Sequence, residues 1–194
     1  TVFDQNQPID PSGIIYNSST RAPVPGVRVT ITDSTGTPLP GACLIDASQQ
    51  SQVTNATGEY RFDLVPGASP ACPPGETEYH LRIENPSGFE PGFSSIIPPQ
   101  AGSLEGTGCP GDAIPGGSCQ VSGSANPPAS GPGTYFVRFF LENGDPDLVN
   151  NHIAIDPLPG PAGLTKTANV TSIRRGERVA YVIEACNVPF NPAR

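Results

Sequence analysis

Between Val27 and Asp33 the chain alternates without a break: Val27, Val29 and Ile31 fall on one side, Arg28, Thr30 and Thr32 on the other. A period of two is the signature of a half-buried β-strand and is incompatible with a helix. The pattern recurs along the chain. Gly13–Tyr16 is a short apolar strand, and Tyr60, Phe62 and Leu64 make a buried row after a turn at Gly58. Tyr79, Leu81 and Ile83 make another. Thr134–Leu141 is apolar on both faces, which places Tyr135, Phe136, Phe139 and Phe140 in the core of a central strand. Asn151–Ile155 follows as a short strand. Leu164–Ala168 and Glu177–Glu184 read as two more around an Arg175–Gly176 turn.

The rest of the chain supports the same class. Charged residues are only 14% of the total, too few to coat long surface helices, and the 25 Pro and 22 Gly sit between the strands. From about 86 to 132 the alternation dissolves into Pro, Gly and Ser, apart from Phe93–Ile97. The expected architecture is all-β. A first β domain spans 1–157 and carries a long loop insertion at 98–132. A stiff Pro-rich linker occupies 158–163, and a partial second β-domain runs over 164–194. The net charge of −8, from 18 acidic and 10 basic residues, argues against nucleic acid or an anionic membrane surface as a partner. No apolar run approaches the roughly 20 residues of a membrane-spanning helix. The start at Thr1 reads as a processed or excised piece.

Five cysteines, Cys43, Cys72, Cys109, Cys119 and Cys186, lie mostly beside Pro and Gly, with no CxxC pair and no histidine close in sequence. Disulfides in an oxidising, extracellular compartment fit better than zinc. Cys43–Cys72 would bracket the Tyr60–Phe62 strand and Cys109–Cys119 would close the long loop, leaving Cys186 unpaired. The triplets at Asn17, Asn55 and Asn169 match the glycosylation pattern of secreted chains.

Catalysis finds little to work with. His80 alternates with Tyr79 and Leu81 and should face solvent, while His152 lies beside an acidic turn as a ligand candidate. No nucleophile elbow, phosphate loop or His-Glu-x-x-His occurs. Asp145, Asp147 and Asn150 offer oxygens for calcium but lack EF-hand spacing; the same residues also suit ordinary turn capping.

Three segments carry a resemblance. Gly13–Tyr16, Pro25–Ile31 and Thr57–Phe62 followed by Leu64–Gly67 resemble the prealbumin-like β-sandwich family, including the SdrD-like and Cna-B-like repeats of bacterial surface proteins and the carboxypeptidase regulatory-like domain. Leu164–Ala168 with Arg175–Ile183 is similar to the opening strands of a tandem Ig-like envelope repeat. Some Cna-B-like domains carry a Lys–Asn cross-link. The sole lysine here, Lys166, lies in the tail, so the resemblance implies no such bond in the first domain.

The resemblance implies a non-catalytic structural repeat of a bacterial cell-surface stalk, fibre or adhesin, whose partners are neighbouring repeats or other copies. The two tail strands lack the partners of a complete sandwich: either the rest of the repeat follows in a longer parent chain, or a strand from another copy is added, with Val2 and Phe3 donated and Val179, Tyr181 and Ile183 receiving. The alternatives are a module binding carbohydrate or protein through 98–132 or 142–156, and an accessory domain of a secreted enzyme. A chain without Trp is a poor glycan platform.

Overall fold

The computed structural model describes residues 11–73, 77–105, 118–141, 145–159, 163–168, 172 and 174–186. The chain divides into two units, Thr1–Asp156 and Pro157–Arg194. Among the described residues the regular structure is strand throughout, apart from two single-turn 3-10 helices at Gly41–Cys43 and Ala47–Gln49. The all-β class therefore holds.

In the first unit β1 (Ser12–Asn17) is the middle of a three-stranded sheet. It pairs antiparallel with β4 (Glu59–Arg61) through its first half and parallel with β10 (Ile153–Ile155) through its second. A five-stranded sheet has the order β3-β2-β5-β8-β6, formed by Gln52–Val53, Arg28–Asp33, Thr77–Glu84, Arg138–Leu141 and Leu104–Glu105. A third, small sheet pairs β7 (Cys119–Gln120) parallel with β9 (Leu148–Val149). The alternating rows read from the sequence all point into one core: Val27, Val29, Ile31, Tyr60, Phe62, Leu64, Tyr79, Leu81 and Ile83 are buried there with Ile15, Tyr16, Tyr135 and Phe139. Gly58, at φ +72°, makes the turn, and a Cβ there would stand 2.6 Å from the Ile15 carbonyl oxygen. Only glycine fits.

The structure departs from the sequence reading in several strands and in the long loop. Thr30 and Thr32 are buried rather than solvent-facing; Thr30 Oγ1 lies 3.0 Å from Ser51 Oγ and Thr32 forms a bridge with Pro38. The 98–132 segment is not loop throughout. Leu104–Glu105 pairs parallel with Phe139–Phe140, and Cys119–Gln120 with Leu148–Val149. Two-residue strands are too short to show a period. The Thr134–Leu141 strand begins only at Arg138, because the Phe136 peptide is taken by the Asn151 side chain. In the second unit β11 is Gly163–Ala168, and β12 is Tyr181–Cys186 where Glu177–Glu184 was expected.

Side-chain amides finish what the short strands leave open. Gln50 Oε1 accepts the Ile31 N–H at 3.2 Å while Nε2 donates to the carbonyls of Ile31 (2.9 Å) and Leu39 (2.6 Å). Gln52 pairs with the Arg61 N–H and carbonyl in the same two-point manner on the edge of β4. Gln49 Oε1 accepts the Asp63 N–H at 2.8 Å. A carboxamide has the donor and acceptor of a peptide, so these glutamines act as one-residue strand neighbours where β3 stops short along β2 and along the open side of β4.

The Cys43–Cys72 disulfide is formed, with Cα atoms 5.3 Å apart. Cys119 is fully buried and is itself disulfide-bonded. Its expected partner Cys109 lies outside the described residues, as do Val2 and Phe3. No helix among the described residues is long and apolar enough to cross a membrane.

Candidate functional site

Where the first half of β1 runs out of a β10 partner, a groove of about 480 Å³ opens. Its floor is Ser12–Ile14 of β1 and its walls are Gln52–Val53, Asn55, Glu59–Arg61, Ala125, Asn150 and His152. The sequence singled out 98–132 and 142–156 as separate recognition candidates. The groove takes Ala125 from the first and Asn150 and His152 from the second.

Beneath it lies a buried polar cluster. Asn151 is fully buried; its carboxamide pairs with the N–H and carbonyl of Phe136, and Nδ2 also reaches the Tyr60 hydroxyl at 2.9 Å. Tyr60 in turn donates to the Asn151 carbonyl at 2.8 Å, and burial pushes its phenol far above the usual range. The Asn151 N–H bonds to the Ser12 carbonyl, and Gly13 sits so close that a Cβ would stand 2.2 Å from the Asn151 carbonyl oxygen. The sequence does not flag this cluster. Asn151 reads only as the first residue of a short strand, and its role depends on Phe136 and Tyr60, 15 and 91 positions away.

His152 is buried, and both ring nitrogens are engaged. Nδ1 faces the Ile14 N–H at 3.2 Å, and Nε2 is 2.9 Å from the Ser124 carbonyl oxygen. An N–H on one side and a carbonyl on the other fix the neutral ring with its proton on Nε2. Burial holds its pKa below the ordinary histidine value, against the opposing pull of the Ser124 carbonyl. The ring stands in for the strand neighbour that Ile14 lacks.

The remaining candidates are dispersed. His80 is half-buried rather than solvent-facing, with Nε2 3.5 Å from Glu78 Oε2. Asp145 and Asp147 are half-buried and each has a partner, while Asn150 takes φ +60° and donates to the Ser122 carbonyl at 3.4 Å. Among the described residues no three His, Cys, Asp or Glu side chains gather in a metal-holding group. Asn17 is buried, and its Oδ1 accepts the amides of Ser19 and Thr20, so its triplet is closed to a glycan in the fold; Asn55 is exposed.

A second carboxylate site is structural. Asp156 gathers Ser94 Oγ, the Ser95 N–H at 2.7 Å, Ser95 Oγ at 2.9 Å and the Ile96 N–H at 3.3 Å. Burial alone would raise its carboxyl, but bonds from Ser94 and Ser95 outweigh that and hold it below the ordinary value.

In the second unit β11 and β12 form an antiparallel pair with Lys166 opposite Ile183. Tyr181, Val182 and Ile183 are 55%, 57% and 62% exposed, and the Lys166 ammonium lies 4.1 Å from the centre of the Tyr181 ring. Val179, the third member of the expected row, is half-buried. No protein-family model matches this sequence, and no curated protein matches it.

Proposed function

We propose that the chain is a non-catalytic structural repeat segment of an extracellular, bacterial-type surface stalk, fibre or adhesin. In this reading the first unit is a prealbumin-like sandwich and the second belongs to a tandem Ig-like repeat. The observation that carries it is the run Tyr181–Val182–Ile183, three large apolar side chains exposed on both faces of a two-stranded ribbon. Two strands rarely stand alone, and such a ribbon is completed by further strands. Its partners are then neighbouring repeats or other copies of the chain, joined by strand addition. The Cys43–Cys72 disulfide and the glutamine-capped edges suit a unit that keeps its shape outside the cell. The test is sedimentation over a concentration series, with electron microscopy of the native material, on the intact chain and on one lacking residues 1–8. Concentration-dependent association that weakens with the deletion supports donation of the Val2–Phe3 segment. Monomers at every concentration, with no filament in the native material, overturn the assembly reading.

The groove favours a second reading, a ligand-binding module. A cleft of about 480 Å³ lined by Ser12, Gln52, Asn55, Arg61 and Asn150 is large enough for a short peptide or a sugar unit. A glycan and peptide array with the intact chain, repeated with Asn150→Leu, separates the two: binding lost in the variant supports the module.

A further inference from the structure

We propose that His152 is an acid-sensitive latch that holds the segment Ser122–Gly133 over the groove. This goes beyond the assembly reading and does not depend on it. The segment is Ser-Gly-Ser-Ala-Asn-Pro-Pro-Ala-Ser-Gly-Pro-Gly, with Gly123–Asn126 exposed. Its apolar side chains are only alanine and proline, of which Pro127 and Pro128 are half-buried, so packing anchors its middle and not the groove end. It enters from β7, whose ladder to β9 ends where the Val121 N–H meets the Val149 carbonyl at 3.0 Å. Beyond that point, among the described residues, three side chains tie it to the rest of the unit by hydrogen bonds. Asn150 Nδ2 reaches the Ser122 carbonyl at 3.4 Å, His152 Nε2 the Ser124 carbonyl at 2.9 Å, and Arg21 Nη2 the Gly131 carbonyl at 2.8 Å. The first is long, and the third lies at the far end. His152 therefore carries the groove end of the strap.

The latch works only while the ring is neutral. A proton added to Nδ1 points at the Ile14 N–H, so the bond at 3.2 Å becomes a donor facing a donor. The ring must turn or leave, and either movement takes Nε2 from the Ser124 carbonyl. Its surroundings offer the imidazolium little relief. β1 contributes only the Tyr16 phenol, which burial keeps protonated, and the strap contains no ionisable side chain. The Tyr60 phenol from β4 lines the same groove but stays protonated. The two charged residues there, Glu59 and Arg61, are bound elsewhere: Glu59 Oε2 accepts from Asn55 Nδ2 at 2.7 Å, and Arg61 Nε lies 2.6 Å from Asp63 Oδ1. The Asn55 amide also holds the Glu59 carboxyl below its ordinary value, so it keeps one charge through the range where histidine titrates. Acidification thus frees the strap and uncovers the end of the groove at Ala125.

The experiment is NMR on the intact, 15N-labelled chain near pH 7.5 and near pH 5. Expected are a neutral His152 protonated on Nε2 at the higher pH, and amide exchange at Ile14 roughly tenfold faster at the lower pH after correction for the intrinsic rate. The 15N–1H NOE of Ser122–Ser130 should fall over the same range. In His152→Gln, neutral at both values, these acid responses should vanish. A His152 already protonated near pH 7.5, or Ile14 exchange and strap NOE values that do not change with pH, overturns the latch. So does an acid response that survives in His152→Gln. If that variant does not fold, the ring titration and the strap NOE of the unaltered chain decide the question alone.

Discussion

The carboxamide of Asn151 holds the peptide of Phe136 at both ends, accepting its N–H at 2.8 Å and donating to its carbonyl at 2.9 Å. A side chain does here what the next strand would do in a longer sheet, and it does so with no exposed surface. Replacing Asn151 with Leu leaves the Phe136 N–H, the Phe136 carbonyl and the Tyr60 hydroxyl short of partners in a buried place. Each such group costs about 1–3 kcal/mol. The expected loss is about 3 kcal/mol or more, read as a lower urea midpoint at unchanged slope.

Gly13 makes the same point through shape. Its hydrogen faces the Asn151 backbone, and the added methyl of Gly13→Ala would stand 2.2 Å from the carbonyl oxygen. Backbone cannot step aside as a side-chain tip can, so β1 must shift away from residue 151. A cost of about 1–3 kcal/mol is expected, with the Tyr60 and Asn151 resonances displaced in NMR spectra. Gly36→Ala is the control for space: its Cβ meets nothing within 4 Å, leaving only the strain of φ +85°.

Opening the Cys43–Cys72 bond releases a sequence separation of 29 residues. The chain-entropy model gives a loss of about 3–4 kcal/mol. The paired Cys43→Ser, Cys72→Ser variant should show it as a fall in melting temperature, and a reductant, which also opens the Cys119 disulfide, should lower the unaltered protein at least as far.

Gln50→Ala removes one amide that serves Ile31 and Leu39 together. Partly buried, these bonds together contribute about 2 kcal/mol. Beyond the stability change, the β2 edge loses its cap, and light scattering on heating should show earlier aggregation than for Gln49→Ala, whose contact is with Asp63.

Stability should fall with acid in two stages, and both have the same sign. His152 has a folded-state pKa below its ordinary 6.5, so the unfolded chain takes up its proton first and stability declines as pH drops below that value. Asp156 is held below its ordinary 3.8, so its contribution is present above that pH and is lost as pH falls through its folded-state pKa. Melting temperatures measured against pH should be level above about 6.5 and then step down. His152→Gln should remove the first step, and Asp156→Asn should reduce the second, which Asp33, Asp46, Glu59 and Glu78, also held low by hydrogen bonds, share.

The class of the fold and much of its core are written in the sequence, because a period of two places side chains on a face whatever the neighbouring strand is. Val27, Val29, Ile31, Tyr60, Phe62, Leu64, Tyr79, Leu81 and Ile83 are all buried, and Gly58 turns where the pattern requires it. What local pattern could not supply is the identity of the neighbours. Thr30 and Thr32 read as a solvent face, and only the return of Pro38 and Ser51 onto β2 buries them. Asn151 and His152 read as the start of a short strand beside an acidic turn. Their meaning is set by Phe136, Tyr60, Ile14 and Ser124, which lie 15 to 138 positions away. Periodicity is a property of a segment, whereas a hydrogen-bond partner is a property of the closed chain. The groove at β1 therefore came from tertiary structure alone.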